Sequence, residues 1–209
     1  MRIYGIIDIL IFAKALQCDA GEMIGLGLLW MSFLLYLESR HRDKLRLKVS
    51  RCAWIIVGLP TLILLPLWLP CAFTMCAVLY TKKKRNRFFG CTSSIWRGLQ
   101  GALIAFAFMP KFTLLAFILY AIRNLVGDFR DIGDDWNDGA RTFPTMLGFR
   151  KNQVWAFWGH LVSVIATTIL WFQFTNLSSG LLVICLTLQV ISYPLTPRQS
   201  NPSYLMFCK

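Results

Sequence analysis

The chain has 209 residues, of which 56% are hydrophobic and only 15% are charged, against roughly 25% charged residues in an ordinary soluble domain. With a mean hydropathy of +0.56, too little polar surface remains to cover a single soluble core. This composition excludes a soluble globular domain and predicts an integral membrane protein. The net charge of +12 comes from short basic tracts between apolar runs, a distribution typical of membrane proteins rather than of nucleic-acid-binding proteins.

Six apolar runs follow one another along the chain. They cover residues 3–16, 23–37, 52–80, 98–122, 153–173 and 179–194. The third and fourth runs exceed the about 20 residues that one membrane span requires, but prolines interrupt both. These are Pro60, Pro66 and Pro70 in the third run, and Pro110 in the fourth. Because proline removes a backbone donor and ends or kinks a helix, we predict that each of these runs forms a hairpin of two short helices.

The basic residues favour the same interpretation. Hairpins place the charged loops 38–51, 81–97 and 123–152 on one face of the membrane together with both termini. All of the 22 basic residues except Lys14 and Lys111 then lie on that face, as the positive-inside rule requires. The charge distribution therefore predicts that both termini and the three charged loops are cytoplasmic.

The predicted fold class is thus all-α: a polytopic transmembrane helical bundle of about eight short helices. Residues 1–195 are expected to form this single domain, and residues 196–209 a polar C-terminal tail. The seven cysteines include no C-x-x-C pair and lie mostly inside apolar runs. They are predicted to be small core residues rather than a disulfide framework or a zinc site.

An acidic segment follows the fourth apolar run. Its five aspartates are Asp128, Asp131, Asp134, Asp135 and Asp138. If residues 124–138 are helical, Asn124, Asp128, Asp131 and Asp135 lie within about 60° of one another, and their carboxylates repel unless a cation lies between them. Oxygen ligands at this spacing suit Mg²⁺, which takes one or two carboxylates together with substrate phosphates. The alternative is a solvated acidic loop.

The residues around these aspartates form a longer pattern. From Asp128 to Gly148 the chain reads D-F-R-D-I-G-D-D-W-N-D-G-A-R-T-F-P-T-M-L-G. It resembles the second aspartate-rich motif of the UbiA superfamily of intramembrane prenyltransferases, which is written RDxxxD followed by GxRT and P. The resemblance implies that Asp131 and Asp135 hold Mg²⁺ and an isoprenoid diphosphate, with Asp128 in support.

The first aspartate-rich motif of that family is altered in this chain. The family carries an NxxxDxxxD-like segment after its second helix, where this chain has Tyr36-Leu37-Glu38-Ser39-Arg40-His41-Arg42-Asp43. Glu38 and Asp43 are the oxygen ligands that this segment offers, although no asparagine is present and their spacing is five rather than four. The alternative is an ordinary helix end followed by a mixed-charge interfacial loop.

Five residues are candidates to bind the diphosphate. They are Arg141, Arg130, Lys84, Arg85 and Asn124. Arg141 is favoured by its position in the motif. Arg130 projects nearly opposite the aspartates on an ideal helix, so we expect it to fix the loop. Lys84 and Arg85 belong to a basic loop that sets topology and attracts anionic lipid, or else supplies cations to the leaving group.

The function implied by the resemblance is Mg²⁺-dependent transfer of an isoprenoid chain within the bilayer. The donor would be an allylic polyprenyl diphosphate, the acceptor a lipophilic or aromatic small molecule, and no nucleic acid takes part. Two alternatives stay open. One is a terpene cyclase on the same scaffold, and the other is a non-catalytic, shortened member of the family. The altered first motif and one predicted helix fewer than the family usually has motivate the latter.

Overall fold

The computed structural model describes residues 3–40, 52–82, 90–137, 139–150 and 154–193. Across these residues the chain is helical and contains no strand, which confirms the predicted all-α class. In chain order the helices are α1 (Ile3–Ala15), α2 (Ala20–Arg40), α3 (Ala53–Gly58), α4 (Thr61–Leu64), α5 (Trp68–Thr81), α6 (Ser93–Phe108), α7 (Thr113–Arg130), α8 (Ile132–Asn137), α9 (Phe143–Met146), α10 (Val154–Phe172) and α11 (Ser179–Ser192).

Three helical segments are long and apolar enough to cross a membrane. They are Ala20–Leu37, Pro110–Arg130 and Trp155–Phe172. Helices α5 and α11 are apolar but have only 14 residues each, or about 21 Å against a hydrocarbon core of about 30 Å. The helices thus indicate a membrane protein, whereas the eight-segment topology stays a prediction.

Pro60 and Pro66 break the third apolar run, whereas Pro70 lies inside α5, so the predicted hairpin of two helices is wrong in number. Pro60 caps the start of α4, and Leu65 turns the chain into an extended conformation (φ −128°, ψ 158°) directly before Pro66. A residue that precedes proline avoids the helical region because the proline ring crowds its backbone. The run therefore forms three helices, α3, α4 and α5.

The fourth apolar run forms an antiparallel hairpin. Helix α6 ends at Phe108, Met109 is extended (φ −147°, ψ 81°), and a 3₁₀ turn over Pro110–Phe112 leads into α7. Small residues let the two helices approach closely, as is common between membrane helices. Gly98 faces the backbone of Phe117, and Gly101 faces the ring of Tyr120.

We expect Gly98→Ala to separate α6 from α7, because its Cβ would lie 2.8 Å from the backbone oxygen of Phe117. The free energy of unfolding should fall by about 1–3 kcal/mol, the usual effect of overpacking a core. Gly180→Ala is the matched control, since a Cβ there meets nothing within 4 Å. Unfolding in mixed micelles measures both variants, and equal stability of Gly98→Ala and the wild type would contradict this packing.

The helices close into a bundle in which the N-terminal helix packs against the C-terminal ones. Helix α1 contacts α2, α10 and α11, α7 contacts α6 and α10, and α5 bridges α2 and α6. Aromatic rings fill the interior. Phe12 of α1 lies 4.5 Å from the ring centroid of Trp171 and 5.5 Å from that of Tyr120. The middle of α7, at Tyr120, thereby packs against α1.

Four arginines that the sequence assigned to charged loops lie in helices. Arg40 ends α2 and Arg130 ends α7. Arg97 belongs to α6, and its guanidinium carbon is 4.7 Å from the ring centroid of Trp30 and 4.6 Å from that of Phe33. Arg123 belongs to α7 and is buried. The loop boundaries 38–51, 81–97 and 123–152 are therefore wrong, whereas the cytoplasmic orientation stays a prediction.

The cysteines are only partly core residues. Cys18 and Cys76 are buried, but Cys52 and Cys71 are exposed on the surface of the bundle. Burial, together with the nearby carboxylates of Glu22 and Asp19, raises the pKa of Cys18 to about 12. Cys18 is therefore a protonated thiol at neutral pH.

Candidate functional site

The acidic segment forms two helices rather than one. Helix α7 ends at Arg130, Asp131 lies in a turn (φ −93°, ψ 11°), and α8 begins at Ile132. The backbone amides of Asp131 and Asp135 still donate to oxygens four residues back, at 2.9 and 3.0 Å. The helical segment considered over 124–138 is therefore interrupted at Asp131.

Glycines end the two short helices that follow. Gly139 has φ +66° and Gly148 has φ +85°, a left-handed conformation that glycine adopts without steric cost. Beyond Gly139, the amide of Ala140 donates to the oxygen of Asp135 at 2.7 Å, and beyond Gly148, the amide of Phe149 donates to the oxygen of Pro144 at 3.2 Å. These are Schellman caps, and they explain the two glycines of the motif.

Arg130 holds the carboxylate of Asp131 with both sides of its fork. Its Nε donates to Oδ1 at 2.8 Å, and its Nη2 donates to Oδ2 at 2.7 Å. The arginine is buried, whereas the side chain of Asp131 keeps 30% of its surface exposed. A bidentate pair fixes both the position and the plane of a carboxylate. This contact agrees with the expectation that Arg130 fixes the loop, while its candidate contact with a diphosphate stays a prediction.

The side chain of Asp128 contacts the start of α6. Its Oδ2 accepts a hydrogen bond from Ser93 Oγ at 2.6 Å and another from Asn124 Nδ2 at 3.3 Å. Asn124 also donates to Ser94 Oγ at 3.3 Å. Asp128 is 3% exposed, so it joins α7 to α6 and is more enclosed than Asp131.

The remaining candidates differ in accessibility. Asp135 is buried, Arg141 is exposed, and Thr142 beside it is fully buried. Arg141 is therefore the motif cation that a ligand from solvent can reach. Four predicted residues cannot be placed: Lys84, Arg85 and Asp43 lie outside the described residues, as does the side chain of Glu38 in the last turn of α2.

Within the described part of the chain, no three His, Cys, Asp or Glu side chains group to hold a metal ion. The aspartates of the motif suit another kind of metal site. In such a site, magnesium takes one or two carboxylates and completes its coordination shell with phosphate oxygens and water. Each oxygen of Asp131 accepts a hydrogen bond from Arg130, and the side chain keeps 30% of its surface exposed. Metal-binding carboxylates are commonly oriented by such bonds. Asp131 therefore fits magnesium that arrives with a diphosphate.

A second buried cluster of polar side chains was not predicted from the sequence. Asp8 of α1 is fully buried, and its Oδ2 accepts from Arg123 Nη1 at 2.6 Å and from Tyr120 Oη at 3.3 Å. The other oxygen, Oδ1, has no hydrogen-bond partner among the described residues. The sequence does carry a signal for this pair, namely one acidic residue in an apolar helix and one basic residue in another. Charged residues within membrane segments usually pair with one another.

Three comparisons, with protein-family models, with curated proteins and with solved structures, found no match to this chain.

Proposed function

We propose that this chain is a membrane prenyltransferase, a transferase of alkyl groups other than methyl. Its donor is an allylic polyprenyl diphosphate and its acceptor a lipophilic or aromatic molecule in the bilayer. One observation carries the proposal: a partly exposed carboxylate, Asp131, is fixed by buried Arg130 at the end of a membrane-length helix. The order RDxxxD, GxRT and P around it supports the same assignment.

The residues have distinct roles in this proposal. Asp131 presents a fixed carboxylate to the diphosphate-bound magnesium, with Asp135 as the second ligand of the motif and Asp128 holding α7 against α6. Arg141 is exposed beside them and pairs with phosphate oxygens, as arginine does at phosphate sites. Magnesium, when bound, offsets the negative charge that develops on the departing pyrophosphate. Lys84, Arg85 and Asn124 are further candidates for the diphosphate, and Glu38 and Asp43 for a second metal.

A membrane setting suits this chemistry. The carbon–oxygen bond to the diphosphate breaks, pyrophosphate leaves with the electron pair, and the allylic cation forms a bond with the acceptor, which releases a proton. The isoprenoid chain partitions into lipid, and a dry interior protects the cation from water. The aromatic interior of the bundle, which includes Phe12, Trp30 and Tyr120, is an environment of that kind.

Incubation of the purified chain with labelled allylic diphosphates, Mg²⁺ and pools of acceptors tests the proposal. Release of pyrophosphate only when an acceptor is present supports transfer. Mg²⁺-dependent release without an acceptor would instead favour a terpene cyclase or a hydrolase. No release with any donor would contradict the proposal and favour a non-catalytic protein that binds lipid or a partner.

The finer topology belongs to the same proposal: both termini and the motif lie on the cytoplasmic face. We expect single cysteines at positions 45, 84 and 140, introduced into a chain without its natural cysteines, to react from the cytoplasmic side only. Membrane-impermeant maleimides applied to sealed vesicles of each orientation measure this. Labelling of position 84 from the opposite face would contradict the arrangement, because it would place the basic loop and the acidic motif on different sides.

A further inference from the structure

We propose that His160 and Tyr193 are positioning residues that orient the carboxylate of Asp131 through Arg130. We further infer that His160 is the neutral tautomer with its proton on Nε2. The effect on ligand affinity rests on the proposed function, whereas the tautomer does not.

Three buried side chains from different helices meet behind Asp131. Arg130 Nη1, at the end of α7, lies 3.0 Å from His160 Nδ1 of α10 and 3.0 Å from the hydroxyl of Tyr193, which follows α11. The same Nδ1 lies 2.8 Å from the Tyr193 hydroxyl. All three residues are less than 7% exposed. The nitrogen of Arg130 that does not hold Asp131 is thereby fixed by α10 and α11.

Which of these three side chains donates and which accepts follows from the hydrogen-bonding groups that each one carries. Arginine has only donors, so the hydroxyl oxygen of Tyr193 accepts from Arg130 Nη1, and its own proton points elsewhere. Two acceptors are within reach of that proton, His160 Nδ1 at 2.8 Å and the carbonyl oxygen of Phe157 at 3.5 Å, and the shorter contact is the better hydrogen bond. Arg130 Nη1, which can only donate, also lies 3.0 Å from Nδ1. Nδ1 must therefore carry a lone pair, which puts the single proton of a neutral imidazole on Nε2. An imidazolium would donate towards a guanidinium in a buried site, an unfavourable contact between like charges.

Packing holds this arrangement in place. The ring of Tyr4 lies 5.2 Å from the ring centroid of Tyr193 and 6.3 Å from that of His160. Gly127 leaves room for the imidazole, because a Cβ there would lie 3.4 Å from His160 Cδ2. A guanidinium fixed on one side by His160 and Tyr193 has little freedom left. It therefore presents a single orientation to Asp131, as the groups behind a metal-binding carboxylate commonly do.

Nitrogen NMR tests the tautomer directly. The chain has two histidines, so His41→Gln leaves one imidazole, whose ¹⁵N resonances belong to His160. We expect an unprotonated Nδ1 and a protonated Nε2 at pH 7. An imidazolium signal at that pH, or a proton on Nδ1, would overturn the inferred arrangement.

Binding of an isoprenoid diphosphate analogue with Mg²⁺ tests the positioning. Tyr193→Phe keeps the ring and removes one hydroxyl, and it should weaken binding about 3- to 10-fold, the effect of one hydrogen bond. The matched control is Thr168→Val, which loses a hydroxyl that accepts from Gln189 Nε2 at 2.8 Å, between α10 and α11, and should bind normally.

His160 variants separate positioning from general packing. His160→Leu should bind more weakly, whereas His160→Asn, whose amide oxygen can replace Nδ1 as acceptor, should restore most of the affinity. Equal affinity of Tyr193→Phe, His160→Leu and the wild type would overturn the positioning role. If the wild type itself binds no analogue with Mg²⁺, the proposed function fails, and the NMR measurement alone still decides the hydrogen-bond arrangement.

Discussion

Asp131→Asn is expected to abolish most of the Mg²⁺-dependent binding of an isoprenoid diphosphate, because an amide oxygen binds a hard cation less well than a carboxylate. Asp135→Asn is expected to have a similar effect. Isothermal titration with a non-hydrolysable analogue, with and without Mg²⁺, measures both. Glu38→Gln should weaken binding less if the first motif has lost its function, and about as much if Glu38 is a ligand.

Asp19→Asn is the matched control for the loss of one carboxylate. Asp19 is exposed and caps α2 by accepting from the amide of Glu22 at 2.8 Å, and asparagine caps a helix equally well. The control should bind as the wild type does. Unchanged affinity in both Asp131→Asn and Asp135→Asn, in monodisperse protein, would contradict the site assignment and favour a non-catalytic protein.

The structure changes the expected effect of Asp131→Asn on folding. Repulsion among clustered aspartates would make the loss of one charge neutral or slightly stabilising. Asp131 is instead paired with buried Arg130 through two bonds of 2.7 and 2.8 Å. The substitution leaves this arginine without its counter-charge, so a modest loss of stability is expected. The titration therefore needs a thermal unfolding measurement beside it.

Breaking the buried pair between α1 and α7 should have the largest effect on stability. Asp8→Asn or Arg123→Met leaves one charge uncompensated inside the bundle, and removal of one partner from a buried pair typically lowers the free energy of unfolding by about 3–5 kcal/mol. The double variant Asp8→Leu with Arg123→Met should recover much of that loss, because an apolar pair avoids the desolvation of both charges.

Unfolding in mixed micelles measures the stability of the two single variants and of the double variant. Asp19→Asn again serves as the exposed control and should leave stability unchanged within about 0.5 kcal/mol. If Asp8→Asn and Arg123→Met were as stable as the wild type, the 2.6 Å ion pair between Asp8 and Arg123 would contribute nothing to the free energy of unfolding. A double variant less stable than either single one would point to packing rather than to charge.

Hydropathy and prolines made the helices predictable from sequence. The break before Pro66 and the turn at Pro110 follow from local chemistry, since proline restricts the residue before it and lacks an amide. Gly139 was predictable as a helix end for the same kind of reason. Such effects act within a few residues, so one sequence is enough to locate them.

The pairing of distant charges was not predictable in the same way. Arg97 and Arg123 looked like loop cations because each lies next to a polar stretch, yet both face the bundle interior. The contacts of Arg130 with His160 and Tyr193 span 30 and 63 residues. Which helices pack together decides such contacts, and hydropathy carries no information on that. Single charged residues in apolar helices, such as Asp8, are the best indication of such pairs that a sequence offers.

The central claim is that Asp131 and a diphosphate share one magnesium ion. Mn²⁺ can replace Mg²⁺ and makes the shared ion detectable by electron paramagnetic resonance. The sample is the wild-type chain in nanodiscs, to which an isoprenoid diphosphate analogue is added stepwise. The account predicts protein-bound Mn²⁺ only when the analogue is present, with coupling to ³¹P, and loss of this signal in Asp131→Asn. A spectrum of Mn²⁺ with the analogue that is the same with and without the wild-type protein would contradict it.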